Sequence, residues 1–104
     1  MEKAIEDNIK LKIAISLKIL LEKRKNNSIN IIKEDSLGVS YNTIALNADI
    51  RKATVSNIFN ANTSPNSITL VLIIEAMGYN LIDFSKIYDS IKEKDIQNFI
   101  KNKL

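Results

Sequence analysis

Apolar side chains recur every three or four residues along most of the chain, the spacing of helices with one buried face. Residues 4–25 show this spacing over the longest stretch, which ends in Lys23, Arg24 and Lys25. The middle of the stretch, IAISLKILL, is apolar on more than one face. A helix of this kind is usually covered on two sides, by its own core and by another element or another chain.

The helical spacing is lost between residues 26 and 40. Turn-forming residues open and close this segment. Ile29, Ile31 and Ile32, which lie between them, fit a short strand, a short helix or a buried loop. The sequence leaves these three alternatives open.

Two short helices are predicted next, over residues 41–48 and 52–60, with a turn at 49–51. Where one helix crosses the other at a sharp angle, a small residue such as Ala45 is needed. The other residues predicted to face inward are Ile44, Ala48, Ile50, Val55 and Ile58. The residues left near or on the outer face are Arg51, Lys52, Ala53, Ser56, Asn57 and Asn60.

A polar loop at 60–66 precedes a third apolar segment, with Asn66 or Ser67 as the capping residue. We expect the whole apolar run to be deeply buried, and Gly78 to end the helix in a left-handed conformation. The run consists of Ile68, Leu70, Val71, Leu72, Ile73, Ile74, Ala76 and Met77.

Two more helices are predicted in the remaining residues. Asn80 and Asp83 resemble a cap for a helix over 81–91, and the charged tail 92–104 has the spacing of an amphipathic helix. The apolar side of the first contains Leu81, Phe84, Ile87, Tyr88 and Ile91, and that of the tail Ile96, Phe99, Ile100 and Leu104. With no repeat or linker, the pattern predicts a single all-α domain over residues 1–104.

Composition narrows the chemistry that this domain can carry out. The chain has 104 residues, 45% of them hydrophobic and 26% charged, which is typical of a globular domain with a real core. Cysteine and histidine are absent, which excludes disulfides, thiolate chemistry and the usual zinc ligands, and removes the commonest general base. No carboxylate pair has a spacing suited to acid–base work or metal binding. We therefore expect no enzyme activity, no cofactor and no metal.

The N-terminal residues do not form a signal peptide pattern, because Lys18 interrupts the apolar run and no small-residue cleavage site follows it. The run is also too short to span a bilayer. A cytoplasmic location is therefore expected.

The order of small, apolar and polar residues across 41–59, followed by a polar loop, Pro65 and TLVLIIEAMGYNLIDF, resembles one known family. This is the Cro/C1-type (XRE-like) helix-turn-helix repressor domain. In that family a loop ending in proline and two further helices follow the helix pair, and the first of these often ends with an apolar–glycine pair, matched by Met77 and Gly78. The resemblance covers roughly residues 41–88 and implies a five-to-six-helix lambda-repressor-like fold.

The sequence departs from this family at four places. Asp49 and Ala61 stand where the family usually has glycines, in the turn and after the second helix. Phe59 replaces a glutamate that often pairs with an arginine of the first helix, so apolar packing is expected in place of that ion pair. Residues 26–40 are an insertion between the first helix and the helix pair.

The resemblance implies that the second helix of the pair reads bases in the major groove. Arg51 or Lys52 would reach a guanine or a phosphate, Asn57 an adenine, and the Ala53 methyl a thymine methyl. The residues predicted to contact bases are Arg51, Lys52, Ala53, Ser56 and Asn57. The alternative is that they are solvated residues of an exposed helix.

Phosphate contacts are predicted at two polar segments that flank this helix. One is the start of the first helix of the pair, where free backbone N–H groups attract anions, and the other is the polar loop. The residues concerned are Asn42, Thr43, Asn60, Asn62 and Thr63. Asn42 and Thr43 would serve equally well as helix caps, a role compatible with phosphate contact, and for the loop the alternative is an ordinary turn. Lys23, Arg24 and Lys25 fit a helix C-terminus better than a phosphate clamp.

The function implied is sequence-specific binding of double-stranded DNA by a bacterial or phage transcriptional regulator, a repressor, acting as a homodimer on a palindromic operator. Residues 4–25 and 92–104 are the expected dimerisation elements, unless the tail folds over the first helix within one chain.

A protein-interaction module on the same fold, for example an antitoxin-like one, is the alternative function. The mild net charge of +3 favours it, as do the five basic and five acidic residues of 65–104. Against it, Asp49 is the only acidic residue in 41–64.

Overall fold

The computed structural model describes residues 2–27 and 40–103, and within these ranges every regular element is an α-helix. The all-α prediction is confirmed. The helices are α1 (Glu2–Asn27), α2 (Tyr41–Ala48), α3 (Lys52–Phe59), α4 (Ser67–Ala76), α5 (Leu81–Ser90) and α6 (Glu93–Lys103). Apart from the end of α1 and Ser40, the segment 26–40, for which three alternatives were open, lies outside the described residues.

Side-chain caps determine where three of the helices begin. Ser40 and Thr43 form a reciprocal capping box on α2, with Ser40 Oγ accepting from the Thr43 N–H at 3.1 Å and Thr43 Oγ1 accepting from the Ser40 N–H at 3.0 Å. Asn80 and Asp83 form the same box on α5, as predicted. Asn66 caps α4 by accepting from the Thr69 N–H at 2.8 Å, so Asn66 and not Ser67 is the cap.

Of the residues that the structure describes, three adopt left-handed backbone conformations, each just after a helix. Gly78 has φ 86° after α4, as predicted. Asp49, at φ 58° and ψ 47°, ends α2, and Ala61, at φ 59°, follows α3. Side chains with a Cβ seldom adopt this conformation, so the chain tolerates some strain at both positions in order to turn sharply.

The main core lies where α1, α2, α3, α4 and α5 meet. Five of the six residues predicted to face inward from the helix pair are buried there, and the sixth, Ile50, is half-buried against it. Phe59 is its largest fully buried side chain, and its ring centroid lies 4.8 Å from that of Tyr41. The other buried members are Leu17, Leu20, Leu21, Ile73, Ile74, Ala76, Met77 and Phe84.

A second, smaller core joins α1 to α6. Ile15, Ile91 and Ile96 are buried in it, and Phe99 and Ile100 pack against them. The Lys18 ammonium lies 4.9 Å from the centroid of the Phe99 ring, so its cation also contacts this layer. The tail is the predicted amphipathic helix, and it covers the second apolar face of α1 within one chain.

The expectation that the apolar run of α4 is deeply buried was wrong for its first half. Ile68 is 71% exposed and Leu72 is 38% exposed, whereas Ile73, Ile74 and Met77 are buried. Among the described helices, α4 packs mainly on α2 and α5, which cover one of its sides. The predicted apolar side of α5 is wrong at Leu81, which is 50% exposed because it opens the helix at the surface, ahead of the buried Phe84.

Within residues 2–27 and 40–103, no single helix is both long enough and apolar enough to cross a bilayer. Only α4 and α5 taken together, bent by 101°, meet that length and composition.

Substitutions at Asp49 test the left-handed turn between α2 and α3. Asp49→Gly should raise the free energy of unfolding by roughly 0.5–1 kcal/mol, because glycine adopts this conformation without Cβ strain. Asp49→Ala is the control at the same site and should lower the free energy of unfolding by a similar amount. Urea unfolding of the three proteins measures both changes. Equal stability of the glycine and alanine variants would contradict the left-handed assignment.

Candidate nucleic-acid interface

The turn between α2 and α3 fixes the direction in which α3 points. The Ile50 N–H donates to the Ala45 carbonyl at 3.0 Å, which closes the end of α2. Arg51 is the N-cap residue of α3, with φ −74° and ψ 143°, but its side chain makes no capping hydrogen bond. Its exposed guanidinium is therefore not used to begin the helix.

The two sides of α3 differ sharply in burial. Val55, Ile58 and Phe59 form the buried side and hold the helix on α1 and α2. The residues predicted to contact bases lie on the other side, with Arg51, Lys52, Ala53 and Asn57 exposed and Ser56 half-buried. The structure thus places these five residues together on one outward surface, here called the α3 face.

Ser56 and Asn60 are engaged with each other at the end of α3. The Asn60 amide nitrogen donates to the Ser56 carbonyl at 2.8 Å and approaches the Ser56 hydroxyl at 3.4 Å. Asn60, predicted to contact phosphate, therefore has its amide nitrogen committed to closing the helix.

The polar loop after α3 is tied back to Asn57. The backbone N–H groups of Asn62 and Thr63 donate to the Asn57 carbonyl at 2.8 and 3.4 Å. The Asn62 side chain also donates to Asn57 Oδ1 at 3.4 Å. Both predicted phosphate residues of the loop are thereby held next to the α3 face.

At the start of α2, the structure assigns different roles to the two predicted phosphate residues. The Thr43 hydroxyl accepts from the Ser40 N–H and donates to the Ser40 carbonyl, both at 3.0 Å. Thr43 is therefore part of the cap, a role that the sequence allowed beside phosphate contact. Asn42 is exposed and lies in the first turn of α2, where the helix dipole attracts anions.

A groove rich in lysine, which the sequence analysis missed, lies beside the α3 face. It has a volume of about 500 Å³ and runs between α1 and the first turns of α2 and α3. Its lining residues are Lys18, Leu21, Glu22, Lys25, Ser40, Tyr41, Asn42 and Lys52. We call it the basic groove, because three lysines and one glutamate line it.

The spacing of two lysines could have revealed this groove. Lys18 and Lys25 are seven residues apart, so they lie on one side of α1. Lys52, however, comes from another helix, and only the packing of α3 on α1 brings it to them. The Glu22 carboxylate lies 4.0 Å from the Lys25 ammonium and offsets part of the positive charge.

Tyr41 joins the basic groove to the main core. Its ring packs on Phe59 with the ring planes at 43°, while the residue also lines the groove. Burial raises the pKa of the Tyr41 phenol above its ordinary value of 10.0, because the charged phenolate would be poorly hydrated there.

The described ranges contain no candidate metal site, because no three histidine, cysteine or carboxylate residues come together there.

Comparison of the chain with models of protein families, with curated proteins and with solved structures finds no match.

The raised pKa of Tyr41 predicts how stability responds to alkaline pH. The unfolded chain loses the phenol proton near pH 10.0, before the folded chain does. The contribution of the neutral phenol to stability is therefore complete below this pH and is lost as the pH rises through the folded pKa. Tyr41→Phe should lose less stability than the wild type between about pH 8 and about pH 11. Urea midpoints at the two pH values measure this, and an equal loss in both proteins would contradict it.

Proposed function

We propose that this chain is a sequence-specific, double-stranded DNA-binding protein of the Cro/C1 type, in which α2 and α3 form the helix-turn-helix. It would be a repressor of bacterial or phage origin that acts in the bacterial cytoplasm by occupying a promoter region. The observation that carries this proposal is the α3 face. It is an exposed, cationic and amide-bearing surface on a helix whose other side is fixed in the core.

Backbone geometry at two positions and side-chain burial at a third support the assignment to this family. Asp49 and Ala61 have left-handed conformations at the two places where the family usually has glycine. Phe59 is fully buried, so apolar packing takes the place of the family's ion pair. The sequence departures at Asp49, Ala61 and Phe59 are therefore compatible with the backbone and packing of the family.

Base recognition would use the N-terminal half of α3. Arg51 and Lys52 are exposed at its first turn, within reach of guanine O6 and N7 or of a phosphate. Asn57, one and a half turns further, would pair with adenine through its amide, and Ala53 would meet a thymine methyl. Each good bidentate contact discriminates between bases by about 1–3 kcal/mol.

Phosphate contacts would flank α3, the proposed reading helix, on both sides. Asn42 and the first turn of α2 lie at one end of the basic groove, and the loop at Asn62 and Thr63 lies beyond the other end of α3. Lys25 adds a cation that the sequence analysis did not assign to DNA. These contacts would fix the orientation of the protein on the duplex and make its affinity depend on salt concentration. They would not distinguish one DNA sequence from another.

The reading helix is only eight residues long, so it covers few base pairs. A homodimer on a palindromic operator would double the number of bases read. The middle of α1 is already covered by α6, which leaves other surfaces for the partner copy.

A protein-interaction module remains the second candidate. It is favoured by exposed apolar residues remote from the α3 face in sequence, with Ile82 at 64% exposure as an example. The following measurements separate the two candidates.

Fluorescence anisotropy with a pool of AT-rich duplexes tests the α3 face. The wild type should bind, and Arg51→Ala/Lys52→Ala should weaken binding roughly 10-fold or more. The salt slope, which is the slope of log affinity against log salt concentration, should fall in magnitude by about one for each phosphate that is no longer neutralised. The matched control is Lys86→Ala/Lys94→Ala, which removes the same charge from exposed positions of α5 and α6. It should bind nearly as the wild type does. If the wild type fails to bind even at about 50 mM salt, the interaction module becomes the better proposal.

A second pair of variants tests the basic groove. Lys25→Ala should reduce affinity and lower the salt slope by about one, because Lys25 lines the groove. Lys23→Ala is its control, since Lys23 lies two residues away but lines a different hollow, between α1 and α6. Anisotropy titrations between about 50 and about 200 mM salt compare the two. Equal slopes for both variants would remove the groove from the proposed interface.

A further inference from the structure

The exposed side of α4 is largely apolar. Ser67, Ile68, Leu72 and Glu75 are exposed, Val71 is half-buried between them, and Glu75 is the only charged member. We call these five residues the α4 strip. By contrast, the exposed side of α6 contains Glu93, Lys94 and Lys101, as expected for a helix facing water.

The α4 strip also has a shape that can accept a side chain. Four of its residues, Ser67, Ile68, Val71 and Leu72, line a shallow hollow of about 310 Å³. Apolar surface around a hollow is typical of sites where another protein surface packs.

We propose that the α4 strip is the self-association surface of this protein and that its occupant is the α4 strip of a second copy. The chain has a net charge of +3, so two copies repel each other over most surfaces. The strip offers a place where they can approach without opposing cations.

Charge also determines the orientation of the pair. A two-fold axis perpendicular to α4 makes the two helices antiparallel, so each Glu75 lies beside the first turn of the other copy's α4. There the positive end of the helix dipole attracts a carboxylate, whereas at its own helix C-terminus the same carboxylate is unfavourable. A parallel arrangement would instead place the two Glu75 carboxylates side by side.

The register of this pair follows from the length of the strip. The large side chains of the strip run from Ile68 to Glu75, so the two-fold axis passes between Val71 and Leu72. In an isologous contact a residue near the axis meets its own copy. Leu72 therefore faces Leu72 of the other copy, over the hollow that each strip provides.

The size of the strip predicts a weak dimer. Specific interfaces bury about 800 Å² per partner, over 20–30 residues, and one side of a ten-residue helix provides less than this. The dissociation constant should therefore be roughly micromolar, so dimers form at high concentration or on a DNA site that binds two copies.

The position of the strip is compatible with two reading helices. Eight residues separate Phe59 from Ser67, so the strip begins at most ~28 Å from the end of α3. The two halves of a palindromic operator lie about 34 Å apart, one turn of the duplex, so each reading helix must lie about 17 Å from the two-fold axis of the dimer. Only this spacing argument rests on the proposed function; the self-association itself does not require DNA binding.

Sedimentation equilibrium of the full chain at up to about 100 micromolar tests the proposal. The wild type should dimerise, and Ile68→Glu should weaken association at least about 10-fold, because its carboxylate would lie among apolar groups and close to the other copy's Glu75. Leu46→Glu is the matched control, because Leu46 on α2 is 73% exposed and Ile68 is 71% exposed. It should associate as the wild type does. Circular dichroism shows whether each variant remains folded.

A single introduced cysteine tests the register. The chain has no cysteine of its own, so Leu72→Cys provides one thiol per copy. Under mild oxidation it should form disulfide-linked dimers, since a residue beside the axis brings its Cα within bridging distance of its copy. Leu46→Cys is more exposed and measures random collision, so it should cross-link more slowly.

Several results would overturn the proposal. One is a wild type that stays monomeric at about 100 micromolar. Another is equal dissociation of the dimer by Leu46→Glu and by Ile68→Glu. A third is dissociation only by Ile5→Glu/Ile9→Glu, which would place the interface on α1.

Anisotropy with the Ile68→Glu variant separates the self-association proposal from the DNA-binding proposal. If this variant is monomeric but still binds DNA at high concentration, self-association and reading are independent properties. If the wild type dimerises but never binds DNA, the proposed function alone fails.

Discussion

The packing of Phe59 in the main core is the contact on which the rest of the structure depends. Phe59 is the last residue of α3 and is fully buried, with the Tyr41 ring at its side. Truncating a buried phenylalanine typically costs about 3–5 kcal/mol, a large part of the roughly 5–15 kcal/mol that stabilises a small domain. One side chain therefore fixes the end of α3, the start of α2 and the wall of the basic groove together.

The long helix α1 supplies the frame for this contact. It is 26 residues long, and it packs on α3 and α5 through the main core and on α6 through the smaller one. Its single fully buried polar residue, Ser16, satisfies its hydroxyl by donating to the Lys12 carbonyl at 2.7 Å, so burial there leaves no unpaired donor. Because the middle of α1 is covered on two sides within one chain, the surfaces left for partners are α4, the region around α3 and the start of α1, where Ile5 and Ile9 are exposed.

Much of the fold could be predicted from the sequence, because helical spacing and capping residues are local properties. The paired caps at Asn80 and Asp83 and the left-handed Gly78 are examples. The exposure of α4 could not be predicted, since a continuous apolar run has no periodicity to show which side meets the core. The basic groove was missed because Lys18 and Lys52 lie on different helices and become neighbours only through tertiary packing. The exposed position of the α3 face was predictable from helical spacing. The capping hydrogen bonds of Thr43 were allowed by the sequence but not fixed by it, because they depend on the geometry of Ser40.

The hydrogen bond from Asn62 to Asn57 has a consequence for the evolution of binding preference. It occupies one lone pair of Asn57 Oδ1 and so orients the amide before any ligand arrives. In the proposed complex, this contact would reduce the rotational freedom that the side chain loses on binding, which favours affinity. The identity of residue 62 would then influence which base position 57 selects without contacting a base itself. If α3 reads bases as proposed, a change in specificity would then arise in the loop while the sequence of α3 stays the same.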